Sequence, residues 1–312
     1  MMITLLLKMI YVVNIVIKNT MKSFLKWSGG KTRIQDEIIS KFPTDMDFYV
    51  ETFLGGGTIL FKLKPKNAFI CDINCNLINC YIIIRDNLNQ LIVVLGELSC
   101  KYKSIDNEEE QKKYYYSIRT KYNNIKYYKK DIDSKNENDR ILCCAYFLFL
   151  NKTCFNGLYR ENKKGGYNVP IGRYKNPTIL NESLLKEVSC YLNNHNIVIK
   201  CCNYQEAYKY TESIKPFYKK IVVYNDPPYY VSDSSKFVSY TCDIFDSNTH
   251  KELRDIIEKY KDKMCIYISN SNCKEVVELY KEYFLQEIEV MRSISSKKTS
   301  RGKISELLIS SK

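Results

Sequence analysis

The sequence predicts an α/β fold, a largely parallel sheet with helices on both faces, split by a mainly helical insertion. Three observations carry this prediction. From Phe48 onward, short apolar runs alternate with helix-length amphipathic stretches, as strands joined by helical crossovers do. Between residues 76 and 190 that alternation stops and helix-like stretches follow one another. A glycine triplet, Gly55-Gly56-Gly57, directly follows the first apolar run, as a strand-to-helix turn does in sheets of this kind.

Taken in order, residues 48–50 read as the first strand and residues 68–71 as the second, ending at Asp72. Residues 77–98, 108–121 and 140–150 read as helices, because their apolar residues recur at helical spacing. Residues 123–138 form a polar, charge-rich connector, and residues 156–177 a Gly- and Asn-rich basic loop with interleaved aromatics. Strands return at 197–201, 221–224, 264–269, 285–290 and 306–309, with helical spacing at 248–261 and 273–283. This gives an N-terminal extension over 1–21, a discontinuous α/β domain over 22–75 and 191–312, and an insertion over 76–190. No repeat of solenoid length is present.

The chain has 312 residues, 45% hydrophobic, with a formal net charge of +13 and 27 tyrosines. That length buries a sizeable core, and the charge points to a polyanionic partner or an acidic membrane surface rather than to any fold. The tyrosines suit stacking, although an AT-rich genome would also enrich Tyr, Lys, Asn and Ile. Thirteen cysteines show neither small-scaffold spacing nor a secretory context, so reduced thiols in an intracellular protein are expected. Cys143-Cys144 and Cys201-Cys202 lie in apolar stretches, where cysteine acts as a small hydrophobe. Cys71, Cys75 and Cys80 miss the usual zinc spacings and lack a fourth ligand, so no metal is expected. The apolar stretch at 3–17 is interrupted by Lys8 and is shorter than the ~20 residues a spanning helix needs. An upstream extension of the reading frame ahead of Met21, or a short element lying on the domain, is expected there rather than a membrane anchor.

Asn225-Asp226-Pro227-Pro228-Tyr229 follows the apolar run at 221–224. The prolines fix φ and contribute carbonyls without amide donors, so the segment accepts hydrogen bonds but does not extend a ladder. With the Asp226 carboxylate and the Tyr229 ring, it forms an acceptor-rich, aromatic edge suited to a planar base with an exocyclic amine. Acceptors that grip both amine hydrogens favour a more tetrahedral nitrogen and aim its lone pair at an electrophile. Alone, the same residues also describe a Pro-Pro turn after a buried strand.

A strand, a glycine turn, a helix and an acid closing the next strand form the arrangement by which α/β folds hold a nucleoside. Gly55 and Gly57 admit close backbone approach, and Asp72 is placed to accept from ribose hydroxyls. The G-x-G-x-x-G pattern is absent, since Thr58-Ile59-Leu60 follows the triplet, which favours a nucleoside without phosphates. Upstream, Trp27 can cover an adenine or a sulfonium through a cation–π contact, and Lys31 can pair with a carboxylate. Gly30-Lys31-Thr32 matches part of a phosphate loop, but Leu25 stands where that motif needs its first glycine.

In this order, the F-L-K-W-x-G-G-K segment ending at Lys31, the F-x-G-x-G turn at Phe53, Gly55 and Gly57, D-I-N from Asp72 and D-P-P-Y from Asp226 resemble the Dam-type (D12 class) DNA adenine-N6 methyltransferases. The resemblance continues through Asn156-Gly157-Leu158-Tyr159-Arg160, through Asn168-Val169-Pro170-Ile171-Gly172-Arg173-Tyr174 and through Arg292-Ser293-Ile294-Ser295-Ser296, spanning about residues 22–310. It implies a Rossmann-like S-adenosylmethionine-dependent methyltransferase sheet, with the helical insertion as a DNA target-recognition domain. It also implies S-adenosylmethionine as methyl donor, bound by Trp27, Lys31, Asp72 and Asp226 in a pocket shaped by Phe53, Gly55 and Gly57. Asp226, Pro227, Pro228 and Tyr229 would then take the adenine whose N6 receives the methyl group.

An amine inside a duplex cannot reach a buried methyl donor, so the base must be extruded, at a cost of roughly a few kcal/mol. By resemblance, Phe155 and Asn156 fill the gap left by the base, Leu158, Arg160 and Pro170 lie in the base-reading loop, and Lys26 contacts the first guanine. Arg160 can read guanine O6 and N7 bidentately; a phosphate clamp at Arg160, and plain loop packing at Leu158 or Phe155, remain open. The intact N-G-L-x-R pattern implies GATC as target. Two features depart from the family pattern: Cys154 where an aromatic is common, and an expanded connector around residues 129–138. Lys163, Lys164, Arg173, Lys175, Arg292, Lys297, Lys298 and Arg301 are candidate phosphate contacts, which position without specifying. His195 and His250 read as structural or solvent-facing.

Two other enzyme classes, acting on cytosine N4 or on a glutamine amide, use a related acceptor-Pro-Pro-aromatic site. The DNA-reading loop argues against the glutamine enzyme, and Asp at the first position favours adenine over cytosine. A non-catalytic DNA-binding module on the same fold would be expected to lose Asp226 or the glycine turn, and neither is lost. The expected setting is a monomer on double-stranded DNA inside a bacterium or the host of a phage or virus. Both a genome-marking role and a restriction-modification role fit.

Overall fold

The computed structural model describes residues 21–127, 135–230, 245–290 and 304–311. The apolar stretch at 3–17, connector residues 128–134, the Arg292 to Ser296 motif and the candidate phosphate contacts Lys297, Lys298 and Arg301 lie outside the described residues.

Among the described residues, seven strands form one sheet: β1 (Phe48–Glu51), β2 (Asn67–Asp72), β3 (Asn196–Cys201), β4 (Ile221–Asn225), β5 (Cys265–Ser271), β6 (Phe284–Val290) and β7 (Ile304–Ser310), in the order β3-β2-β1-β4-β5-β7-β6. The first five run parallel, while β7 lies antiparallel to both β5 and β6. Side chains of β1 alternate between two buried clusters, with Tyr49 on one face and Phe48 and Val50 on the other. Val222 and Tyr224 of β4 join the first cluster, and Ile221 and Val223 the second. A parallel sheet covered on both faces needs such continuous apolar runs, which is why these strands are legible in the sequence.

Strand order reverses between β1 and β4, since β2 and β3 extend one way and β5 the other. Ligands in open α/β sheets bind beyond the carboxyl ends of the strands at such a reversal. The glycine turn leaves β1 there, and the Asp226-Pro227-Pro228 segment leaves β4 beside it, with Glu51 paired to Tyr224 in register.

Ten helices accompany the sheet: α1 (Gln35–Ser40), α2 (Thr58–Leu63), α3 (Cys75–Asp86), α4 (Leu88–Lys103), α5 (Glu108–Ile125), α6 (Glu137–Thr153), α7 (Glu182–Asn194), α8 (Tyr204–Ile214), α9 (Ser247–Tyr260) and α10 (Lys274–Leu279), counted among the described residues. The stretch expected as one helix over 77–98 is two, because Asn87 leaves helical geometry at φ −128° and ψ 35°. The helix expected over 273–283 is confined to α10. Asparagine side chains accept from first-turn N–H groups at the starts of α3, α5, α6, α7 and α8, a stabilisation of typically about 1 kcal/mol each.

Helices α3 to α7 all fall between β2 and β3. Leu77 and Tyr81 of α3, Leu91 of α4, Tyr115 of α5 and Phe147 of α6 belong to the same buried cluster as Tyr49 and Tyr224. The helical segment therefore shares the core of the sheet, with α3 packed on β2 and β3 and α7 on β3.

The expectation that all cysteines are reduced is corrected: Cys75 and Cys201 form a disulfide, Cα atoms 5.4 Å apart and 126 residues apart in sequence. The pairing of Asp72 with Cys201 across β2 and β3 brings the start of α3 against the end of β3. The other described cysteines are free thiols. His250 is buried against Tyr230 and Phe245, and His195 hydrogen-bonds the Tyr191 carbonyl at 3.0 Å. Among the described residues no helix is long and apolar enough to cross a membrane, and no group of His, Cys, Asp and Glu could hold a metal ion.

Candidate active site

The glycine turn after β1 is built for close approach. Gly55 and Gly57 adopt φ of +49° and +65°, a region that only glycine enters without strain. A Cβ on Gly55 would lie 2.7 and 2.9 Å from Cδ1 and Nε1 of Trp27, and one on Gly57 would lie 2.6 Å from the Tyr81 hydroxyl. Tyr81 donates to the Gly55 carbonyl at 3.0 Å and so holds the turn from behind. Asp72 fastens it from the side: one carboxylate oxygen accepts from Gly55 N at 3.0 Å, the other from Asn74 N at 2.9 Å. Each oxygen retains a lone pair, so Asp72 can still accept from ligand hydroxyls. Burial raises its pKa against these three neighbouring backbone donors, Asn74, Gly55 and Ile73. Phe53 stands across the turn, stacked on Tyr204 at 5.7 Å and edge-on to Phe245.

At the end of β4 the expected acceptors lie in a charged cluster. Lys31, 5% exposed, pairs with Asp226 at 2.8 Å, donates to the Gly29 carbonyl at 2.7 Å and lies 4.0 Å from Glu306. Its ammonium also stands 4.9 Å from the centre of the Tyr229 ring. The Tyr229 hydroxyl donates to Glu306 at 2.5 Å, and Asn270 accepts from the next amide, Tyr230 N, at 3.1 Å. Burial raises the Asp226 carboxyl although Lys31 opposes it, and burial raises the Tyr229 phenol. Lys31, read from the sequence as a partner for a ligand carboxylate, thus holds a carboxylate of the chain itself.

Sequence reasoning missed two acids here. Glu51 is 3% exposed, and burial pushes its pKa up to about 8, with the hydroxyl of Tyr49 donating to it at 2.9 Å. Its signal was an acid closing an otherwise apolar strand. Glu306, in β7, opposes Ser271 of β5; it is the lone acid in an apolar strand read only as sheet.

The candidate DNA-contacting residues gather on the loop that follows α6. Phe155 is 49% exposed, Asn156 takes the left-handed φ of +54°, and the Phe155 amide donates to the Pro170 carbonyl at 2.9 Å. Arg160 is exposed and donates from Nε to Asn168 Oδ1 at 2.8 Å, while Leu158 packs partly against the core. Lys26 reaches this loop from the other side, with its Nζ 3.3 Å from the Tyr174 hydroxyl. Lys163, Lys164, Arg173 and Lys175 are all exposed on the same segment. Lys152, beside Lys26, has its pKa lowered to about 8 by burial and by that second ammonium, a setting that favours an anion.

The residues present fit a nucleoside that carries a positive charge. Asp72 supplies acceptors for a diol, the glycine turn excludes side chains, and Asp226 and Glu306 set two carboxylates against the Lys31 ammonium at the neighbouring end of the site, beside a protonated Glu51.

Comparison with known proteins agrees with this chemistry. The model of the family described as D12 class N6 adenine-specific DNA methyltransferase matches residues 27–294. The chain is 35% identical over 294 residues to Type II methyltransferase M1.LlaDCHI of Lactococcus lactis, covering 94% of this chain and 96% of that one. It is 37% identical over 301 residues to Type II methyltransferase M.MjaIII of Methanocaldococcus jannaschii, covering 92% and 98%. To a DNA adenine methylase of Haemophilus influenzae it is 30% identical over 291 residues, covering 92% of each.

Proposed function

The chain belongs to the D12 class N6 adenine-specific DNA methyltransferase family, and on that premise we propose that it uses S-adenosylmethionine to methylate adenine N6 in duplex GATC. Bound S-adenosylmethionine would supply an activated methyl group on its sulfonium. Trp27, Phe53, Gly55, Gly57 and Asp72 would hold its nucleoside, and Lys31, paired with Asp226, would fix that carboxylate beside it.

Adenine would leave the duplex for the edge formed by Asp226, Pro227, Pro228 and Tyr229, with Phe155 and Asn156 closing the gap behind it. The Asp226 carboxylate and the Pro227 carbonyl would accept the two N6 hydrogens, and Tyr229 would stack on the ring. These groups act by position and by excluding water. Residues 76–190 would carry target recognition through Leu158, Arg160 and Pro170, with Lys26 from the catalytic part, and the setting would be intracellular.

One observation carries this reading: the nucleoside turn with Asp72 and the acceptor edge at Asp226 meet at a single reversal of strand order. The test incubates the purified chain with methyl-labelled S-adenosylmethionine and duplexes that differ only in GATC. Label on adenine N6 of the GATC duplex alone is expected, and its loss in Asp226→Ala. Equal labelling of both duplexes, or label on cytosine, would overturn the assignment.

A further inference from the structure

Two lines of contact connect the segment around Trp27 with the loop after α6. In the first, Asn151, in the last turn of α6 and 3% exposed, uses its whole amide: Oδ1 accepts from Lys26 N at 3.0 Å, and Nδ2 donates to the carbonyls of Lys26 at 2.8 Å and Gly157 at 3.1 Å. Backbone segments more than a hundred residues apart are thereby held on one side chain. In the second, the Trp27 indole stacks on Tyr159 at 5.6 Å and 25°, and Tyr159 stacks on Phe147 at 5.3 Å and 28°. The far edge of Tyr159 is anchored, since its hydroxyl donates to Glu161, which pairs with the buried Lys126 at 2.7 Å.

The other edge of Trp27 lies against Gly55 with no space for a methyl group. A continuous packed path therefore runs from the nucleoside turn through Trp27 and Tyr159 to the adjacent Arg160. A narrow seam, too tight for water, lies between Asn151, Leu158, Tyr159 and Phe147. Close-packed rings transmit a displacement rather than absorb it, so a ligand that fixes Trp27 also fixes Tyr159.

We propose that Asn151 and Tyr159 are positioning residues that couple methyl-donor binding to target discrimination. The inference rests on the function proposed above, in which the donor lies against Trp27 and the loop from Phe155 to Arg160 reads DNA. Occupancy at Trp27 sets the register of that loop, and the Asn151 amide keeps Lys26 and Gly157 in step with it. Coupling of this kind is reciprocal, so cognate DNA must raise donor affinity by the factor by which the donor raises cognate DNA affinity.

The test measures binding of a GATC duplex and a single-mismatch duplex by fluorescence anisotropy, with and without S-adenosylhomocysteine as a non-reacting analogue. Affinity for the analogue is measured by calorimetry. In the parent protein, discrimination is expected to rise about tenfold when the analogue is bound, equal to about 1.4 kcal/mol. Asn151→Asp keeps the size but turns two donors into acceptors facing carbonyls, and Tyr159→Leu removes the stack. Both are expected to bring that gain to about onefold while binding of the analogue alone changes less than about threefold. Tyr159→Phe keeps the ring and should keep the gain. Equal discrimination with and without analogue in the parent protein overturns the proposal whatever the variants do, as does an undiminished gain in Asn151→Asp and Tyr159→Leu. Failure of the parent to bind the analogue, or to prefer GATC in either condition, instead overturns the underlying functional reading and the coupling with it.

Discussion

Replacing Glu51 by glutamine tests whether the cleft holds a neutral carboxyl. Burial, the largest contribution, lifts Glu51 from 4.5 to about 8, and the nearby Asp226 adds to it. Between those values the folded protein keeps a proton that the unfolded chain releases. Stability contributed by this group is therefore complete below pH 4.5, is lost as pH rises, and levels off above pH 8. At about 1.36 kcal/mol per pH unit, the loss is under about 1 kcal/mol at pH 5 and about 3 kcal/mol at pH 7. Glutamine has nearly the same shape, can still accept from Tyr49, and never ionises. Urea unfolding followed by circular dichroism at pH 5, 7 and 8.5 is the assay. Relative to the parent, Glu51→Gln should gain about 2 to 3 kcal/mol between pH 5 and pH 7 and about 1 kcal/mol more by pH 8.5. A difference that stays constant over this range would mean that Glu51 ionises in the fold without penalty, and the reasoning would be refuted.

Further perturbations probe the remaining elements. Gly55→Ala drives a methyl group to 2.7 Å from Trp27 and should weaken donor binding at least about tenfold, or 1.4 kcal/mol, by calorimetry. Gly29→Ala, with φ +78° but nothing within 4 Å of its Cβ, carries the backbone strain without the clash; equal losses in the two would show that the indole contact is irrelevant. Lys31→Met removes the ammonium that lowers Asp226, so the acidic limb of the kcat/KM profile should move to higher pH, and an unmoved limb counts against the ion pair. Arg160→Ala should cost about 1–3 kcal/mol of discrimination at one base pair if it reads guanine; a salt slope reduced by about one with discrimination intact would make it a phosphate clamp. The Cys75–Cys201 bond closes a loop of 126 residues and should stabilise the oxidised chain by about 4–5 kcal/mol on loop entropy. Reductant should therefore lower its urea midpoint but not that of Cys201→Ser, and equal midpoints in oxidised and reduced parent protein would contradict the estimate.

Much of the fold was legible because its cause is local. Each strand of a parallel sheet buried on both faces is a short apolar run, so β1 to β5 could be read within a residue or two, and the glycine turn and Asp72 could be placed at their ends. The break at Asn87 was missed because apolar spacing continues across it, and the short α10 because spacing alone does not show where a helix stops.

Sequence by itself determined the residue types at the ends of β1, β2 and β4, and with them the chemistry available: a bare turn, a diol acceptor and an edge of amine acceptors. Tertiary structure alone decided what those groups face. Lys31 meets Asp226 across 195 residues, with Glu306 beside them, only because β1, β4, β5 and β7 lie in that order. Nothing near Asn151 in sequence indicates that its amide holds Lys26, nor that Tyr159 lies on Trp27. Periodicity records which face of an element is buried, whereas partners distant in the chain are chosen by packing and by the need of buried charges and amides to be satisfied.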